Sequence, residues 1–211
     1  MRILVTAGPT REYIDPVRFI SNASSGKMGY AVAACAASAG HEVTLISGPV
    51  ALATPPGVRR VDIVSVADLQ RALSEAFPWA DALVMSAAVG DFTVESPSDR
   101  KISRKGGPIT VRLVPTADIL AGIAAGKRPD QAIVAFAVET GTPEEIEAKA
   151  RAEMRAKGAD FVVANTPAAM SADDSLAAIF SRDGVVLPWA KRPKEALAAA
   201  IVGLLAGENG D

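Results

Sequence analysis

Arg11, Arg18, Asn22, Ser24, Ser25 and Lys27 crowd into one loop. Side chains of these types hold anions through charge-assisted and amide hydrogen bonds. The loop runs from Gly8 to Gly26, far longer than an ordinary strand-to-helix turn requires. Before it lies Ile3-Leu4-Val5-Thr6-Ala7, a buried-strand pattern, and after it an alanine-rich helical pattern begins near Lys27. A strand, a polar glycine-containing loop and a helix N-terminus make the corner at which α/β proteins bind phosphates and nucleotides. Ser24, Ser25, Gly26 and Lys27 fall at the first helical turn, where free backbone N–H groups favour an anion, and Gly8 opens the loop.

Two common phosphate fingerprints do not fit. A Walker loop needs glycine at position 21 and Ser or Thr after the Gly-Lys pair, whereas this chain has Ser21 and Met28. The dinucleotide pattern G-x-G-x-x-G is absent, since the next glycine after Gly8 is Gly26. A nicotinamide-dependent oxidoreductase would also want an acidic residue ending the second strand, and there the chain reads Ser47-Gly48-Pro49.

The elements that must carry this loop alternate along the chain. Apolar strand runs read at Ile3–Ala7, Glu42–Ser47, Arg60–Ile63, Ala82–Ala87, Ala132–Val138 and Phe161–Asn165. Helical patterns read at Lys27–Ala39, Ala67–Phe77, Ala117–Ala125, Pro143–Lys157 and Pro193–Leu205. The alternation predicts a Rossmann-like, doubly wound α/β fold with a mainly parallel sheet. Leu176–Ser181 and Val185–Leu187 predict a C-terminal β-hairpin across Arg182-Asp183-Gly184. Residues 91–113 break the rhythm: they lack a helical period and end in alternating Ile109-Thr110-Val111-Arg112-Leu113, which predicts an extended arm with an antiparallel strand. Residues 1–206 are expected to form one domain, with 207–211 a disordered tail.

Composition narrows the function classes. A net charge of −2 over 211 residues does not point to general binding of nucleic acid or anionic membranes. No run of eighteen apolar residues occurs, so no membrane span is expected. The single cysteine, Cys35, lies in an alanine-rich helical stretch and reads as a small buried residue, and no disulfide can form within the chain. The lone histidine, His41, opens the second strand, far from the polar motifs, so neither an intrinsic zinc site nor a histidine-based hydrolase is expected. No signal-peptide pattern precedes the first strand, and a cytoplasmic protein is expected.

An ordered set of motifs resembles one family. Gly8-Pro9-Thr10-Arg11-Glu12, Asp15-Pro16-Val17-Arg18-Phe19-Ile20-Ser21-Asn22 and Ser24-Ser25-Gly26-Lys27-Met28-Gly29 are similar to the phosphopantothenoylcysteine synthetases of coenzyme A biosynthesis. The likeness continues through Leu45–Pro49, Ala87–Phe92, Lys101-Ile102, Pro115–Leu120, Ala135–Thr140, Lys157–Asp160 and Val163–Asn165, which together span essentially the whole chain. The resemblance implies a phosphopantothenate–cysteine ligase. A nucleoside triphosphate, CTP in most bacteria, activates the carboxylate of 4′-phosphopantothenate to an acyl-nucleotide, and the cysteine amine displaces the nucleotide. It implies Mg²⁺ held mainly by the nucleotide phosphates, a homodimer to which the arm contributes, and a flavin-dependent decarboxylase, either fused ahead of this domain or separate.

Carried onto this sequence, the resemblance makes Asn22 the residue that stabilises the acyl-nucleotide, with Arg18 on a substrate phosphate or carboxylate. Lys101 matches the first lysine of a Lys-x-Lys-Lys stretch and would swing onto the triphosphate. Asp91, Ala87, Ala88 and Lys157 would line the nucleotide site, and Phe136 and Ala137, at the end of the next parallel strand, could read the base through their backbone. Asn165 reads equally well as a turn residue. The pattern departs from the family at Ser103 and Arg104, at Glu153 in place of a lysine, and at Met170 in place of an aromatic. Losing two cations costs about 1–3 kcal/mol per charge-assisted contact. A homologue that binds nucleotide or phosphopantothenate without ligating is therefore the alternative reading. A nicotinamide-dependent oxidoreductase is the third.

Overall fold

The computed structural model describes residues 1–170 and 172–207. The chain opens with β1 (Arg2–Ala7), a short hairpin of β2 (Arg11–Tyr13) and β3 (Phe19–Ser21), and α1 (Lys27–Ser38). Then come β4 (Glu42–Ser47), β5 (Val58–Asp62), α2 (Val66–Ala76), β6 (Ala82–Met85), β7 (Phe92–Val94), β8 (Leu113–Pro115) and α3 (Ile119–Ala125). The C-terminal half supplies β9 (Ala132–Val138), α4 (Pro143–Ala156), β10 (Phe161–Asn165), β11 (Asp174–Ser181), β12 (Val185–Pro193) and α5 (Lys194–Leu205).

Eight strands form one sheet in the order β12-β11-β10-β9-β6-β1-β4-β5. The strands from β10 to β5 in that order run parallel, and β11 and β12 close one edge as an antiparallel hairpin. This is the doubly wound α/β fold that the alternating pattern predicts. Its central strands are buried on both faces, so they read as continuous apolar runs rather than alternating ones. On one face Leu4, Leu83 and Ile133 pack with α2, α3 and α4 through Leu69, Ile119, Ile146 and Met154. On the other, Ile3, Val5 and Val134 pack with α1 and α5 through Val32, Ala36, Leu197 and Ile201.

The ends of the elements follow local rules. Ser65 and Asp68 make a reciprocal capping box on α2, and Thr142 and Glu145 make another on α4, where Pro143 takes the first turn. The chain runs outward from β1 through β4 to β5, then returns to place β6 on the other side of β1. That reversal opens a crevice beyond the C-terminal ends of β1 and β6, where an open α/β sheet binds ligands.

Three differences from the sequence reading bear on the site. Residues 8–26 do not form a plain loop, because β2 and β3 pair antiparallel, Tyr13 and Phe19 stack at 5.4 Å, and the Arg11 guanidinium covers Phe19 at 4.4 Å. Strand β6 ends at Met85 rather than Ala87, since the next residues turn aside to pair with Gly8–Thr10. In the arm, the antiparallel strand is Leu113–Pro115 on Phe92–Val94, with residues 109–112 outside the ladder. The hairpin β11–β12 is longer than expected. Of the tail, 208–211 lie outside the described residues, and Gly207 lies in the turn after α5.

Candidate active site

The crevice is built by backbone that leaves the sheet. The amide of Ala87 donates to Thr6 Oγ1 at 3.0 Å and that of Ala88 to the Gly8 carbonyl at 2.9 Å, while Thr10 N–H returns to the Ala88 carbonyl at 3.2 Å. Thr10 Oγ1 accepts from Gly90 N–H at 2.9 Å, and Thr116 Oγ1 donates to the Gly90 carbonyl at 2.7 Å. These bonds hold residues 87–91 as one wall of a cleft of about 480 Å³. Thr116–Leu120, Phe136, Val138, Lys157 and Met170 also line it. Asn22, one residue beyond β3, reaches across to donate its amide to the Val89 carbonyl at 2.9 Å.

A smaller cavity of about 90 Å³ adjoins this cleft and shares Ala87, Ala88, Phe136, Val138 and Met170 with it. The N-terminus of α1 lines it through Ser24, Gly26, Lys27 and Gly29. Gly26 caps α1 at φ 78°, and among the described residues the helix has no side-chain cap and no acid in its first turn, so its N–H groups and dipole suit an anion. Gly8 is also left-handed, at φ 76°, and a Cβ built on either glycine would lie 3.0 Å from Val50 Cγ1, so backbone conformation and space both suit glycine there.

Charge gathers at the same place. Lys27 Nζ pairs with Asp173 at 2.6 Å, and that ammonium holds the Asp173 carboxyl below the usual range. Lys194, at the start of α5, is only 4% exposed, and its ammonium donates to the carbonyls of Ala169 and Ala172. Burial, then the neighbouring Lys27 charge, pushes the Lys194 amine below its ordinary value. Asn165 ends β10 at 7% exposure, its side-chain oxygen has no partner among the described residues, and it lines the smaller cavity.

The structure sorts the residues that the sequence singles out. Asn22, Ala87, Ala88, Asp91, Phe136 and Lys157 line the main cleft, and Ser24, Gly26 and Lys27 line the adjoining cavity. Gly8 lies behind that cavity, and Ser25 Oγ donates to the Met170 carbonyl at 2.8 Å. Ala137 packs into the core. Arg18 and Lys101 do not line either cavity: the Arg18 guanidinium binds Asp15 and the Ile102 carbonyl, and Lys101 is exposed on the arm. Of the departures, Ser103 caps a short turn at Arg104–Gly106, Glu153 lies 3.9 Å from Lys157, and Met170 lines both cavities. Cys35 is half-buried on α1, where burial pushes its thiol up, and His41 lies beside the N-terminal amine.

Sequence reasoning missed Asp118 and Lys194 as lining residues. Asp118 caps α3 by accepting from Ala121 N–H at 3.0 Å and also comes within 3.8 Å of Lys157. Its signal was present in Thr116-Ala117-Asp118 ahead of a helical pattern. Lys194 carries no such signal, because its burial comes from segments distant in sequence, the Ala169 and Ala172 carbonyls on its ammonium and Lys27 nearby. Among the described residues no group of three or more His, Cys, Asp and Glu could hold a metal ion, and no helix is long and apolar enough to cross a membrane.

The family model for the DNA/pantothenate metabolism flavoprotein C-terminal domain matches residues 1–207. The chain belongs to that family. It is 50% identical over 173 residues to the coenzyme A biosynthesis bifunctional protein CoaBC of Mycobacterium bovis, covering 78% of this chain and 41% of that protein. To CoaBC of Escherichia coli K12 it is 40% identical over 200 residues, covering 91% of this chain and 48% of the relative. A solved C-terminal domain of CoaBC superposes with a TM-score of 0.80 at 35% identity, over 97% of this chain and 93% of that one. This member of the family thus spans about half the length of the curated relatives it matches.

Proposed function

We propose that this domain is a phosphopantothenate–cysteine ligase. The 4′-phosphopantothenate carboxylate attacks the α-phosphorus of CTP, pyrophosphate leaves and an acyl-cytidylate remains. The cysteine amine then attacks the acyl carbon, CMP leaves with the bonding electrons, and the surplus amine proton passes to solvent. A carboxylate must approach a triphosphate, so fixed donors and cations have to offset repulsion between like charges. The observation that carries the reading is the placement of Asn22 over a cleft that adjoins the uncapped N-terminus of α1. An amide has two N–H donors and an acceptor oxygen, and Asn22 commits one donor to Val89. The other donor and the oxygen suit an acyl-phosphate, and an amide does not compete as a nucleophile.

In this reading Ser24, Gly26 and Lys27 bind phosphate, Phe136 stands beside the base, and Lys157 offsets phosphate charge. Mg²⁺ bound by the triphosphate would draw on Asp91 and Asp118, two carboxylates that line the cleft and suit an ion held chiefly by phosphate oxygens. It would supply charge neutralisation at the phosphates. Arg18 and Lys101 act from the hairpin and the arm. Tyr13, Val17, Phe19, Phe92, Ile109 and Leu113 are exposed apolar residues of those two segments, which supports a homodimer formed there. A flavin-dependent decarboxylase, fused or separate, would supply the next step, and the enzyme would work in the cytoplasm.

The test is pyrophosphate release by purified protein with 4′-phosphopantothenate, Mg²⁺ and either CTP or ATP, with and without cysteine. Release that requires phosphopantothenate and prefers CTP is expected. Silence with both nucleotides in folded protein would favour a binding-only homologue, with Ser103, Glu153 and Met170 as the reason. Sedimentation of the same sample should give a dimer.

A further inference from the structure

Asp15 is an acid buried at the tip of an otherwise exposed hairpin: it is 1% exposed, while Pro16, Val17 and Arg18 lie open. One carboxylate oxygen accepts from the amides of Val17 and Arg18, both at 2.9 Å, which is the ordinary way an aspartate closes a turn. The other oxygen accepts from Arg18 Nε at 2.9 Å, from Arg18 Nη2, and from the Ile102 amide at 3.1 Å. Arg18 Nη2 also donates to the Ile102 carbonyl at 2.8 Å. Both backbone groups of Ile102 are therefore held by one acid–base pair, 87 and 84 residues away in sequence. Closing the hairpin turn requires only the first oxygen. The second, together with the guanidinium, is spent on the arm.

The clamped residue stands next to Lys101, and the hairpin that carries the clamp leads directly into Asn22. Ser98 N–H adds a bond from the arm to the Ile14 carbonyl at 2.9 Å, and Ser21 Oγ ties the hairpin to the Thr10 carbonyl at 2.7 Å. Arm, hairpin and cleft wall thus form one hydrogen-bonded unit. The Arg18 guanidinium holds the Asp15 carboxyl well below the usual carboxylate range, so it stays an acceptor at every pH at which the enzyme would work.

We infer that Asp15 is a positioning residue: paired with Arg18, it clamps the Ile102 peptide and thereby sets where Lys101 stands relative to Asn22. The inference rests on the reading of Lys101 as a cation for the triphosphate. Asp15 lines neither the cleft nor the adjoining cavity. It acts through the backbone beside Lys101, so its removal misplaces a charge rather than deleting one.

The experiment is a double-mutant cycle on the full chain, with Asp15→Asn, Lys101→Ala and the pair assayed by pyrophosphate release. Lys101→Ala should lower kcat/KM for CTP about 100-fold and Asp15→Asn about 10-fold, mainly through KM. The double variant should be no worse than Lys101→Ala alone. Multiplying losses would overturn the inference while leaving the Lys101 reading intact, and a Lys101→Ala enzyme at wild-type rate would overturn that reading instead. Amide exchange gives a readout independent of activity. Ile102 N–H should be protected in the wild type and lose protection in Asp15→Asn while β1 and β6 stay protected, and an unprotected Ile102 in the wild type would overturn the clamp. If Asp15→Asn does not fold, Asp15→Glu, which keeps the charge but moves the carboxylate away from the Ile102 amide, takes its place in the cycle.

Discussion

Gly29, the third residue of α1, is the place where a single methyl group should report on the whole site. A Cβ built there lies 2.6 Å from Ala7 Cβ, 2.7 Å from Ser86 Oγ and 2.8 Å from the Thr6 carbonyl oxygen. Ordinary carbon contacts fall at about 3.5–4.0 Å, so the helix must retreat by roughly 1 Å or the ends of β1 and β6 must yield. Two of the three neighbours belong to β1, and Ser86 Oγ is itself bonded to the Thr6 carbonyl at 2.8 Å, so none swings away freely. Overpacking of this kind costs about 1–3 kcal/mol, and the better helix propensity of alanine returns about 1 kcal/mol. Gly29→Ala should therefore be destabilised by about 0–2 kcal/mol, a fall in Tm of up to about 8 °C for a chain of this size. The loss of activity should be larger. The retreat moves the anion-binding end of α1, and a misplacement of about 1 Å can cost 100-fold in rate. Gly122→Ala is the control: Gly122 is exposed in α3 with nothing within 4 Å of its built Cβ. That variant should gain about 0.5–1 kcal/mol and keep its activity. Thermal unfolding and pyrophosphate release on both variants decide the matter. A Gly29→Ala protein as stable and as active as the wild type would refute the close seating of α1 on the sheet.

Other substitutions separate chemistry from scaffolding. Asn22→Asp should fold normally, as judged by its melting curve, yet lose about 100- to 1000-fold in kcat, because a donor is replaced by a charge that repels the phosphates. Lys194→Met should leave the carbonyls of Ala169 and Ala172 without their donor, cost about 1–3 kcal/mol and raise the KM for nucleotide, with denaturant melts and initial rates as the readouts. At the opposite end of the sheet, Arg2 lowers the Asp81 carboxyl to about 2 from its ordinary 3.8. A carboxyl depressed in the folded state contributes stability above pH 3.8, and the contribution is lost as pH falls through about 2. Arg2→Ala should accordingly flatten the dependence of stability on pH between those values, measured by urea melts. An unchanged slope would remove the Arg2–Asp81 pair from the acid response.

The regular elements were legible because short-range rules determine them. Strands β4, β9 and β10 were located from their apolar runs, since a strand covered on both faces needs no polar residue to mark a solvent side. The helical pattern starts α4 at Pro143, where it does start, and the structure adds the Thr142–Glu145 capping box at that end. Much of the cleft was legible too, because the segments that leave the sheet at β1, β6 and β9 are where such folds bind ligands, and their residues are unusual for plain turns. Tertiary contact decided the rest. The β2–β3 hairpin is too short and too exposed to show a pattern, and it takes its shape from Asp15, whose second oxygen is committed to Ile102. The arm pairs at Leu113–Pro115 rather than upstream because Phe92–Val94 sets the register. Lys194 reads in the sequence as the polar start of a helix and becomes a buried ammonium because the fold brings the carbonyls of Ala169 and Ala172 onto it. Propensity and periodicity act within a few residues and are written into the chain. Burial and charge pairing depend on which distant segments meet, and only the folded structure brings those together.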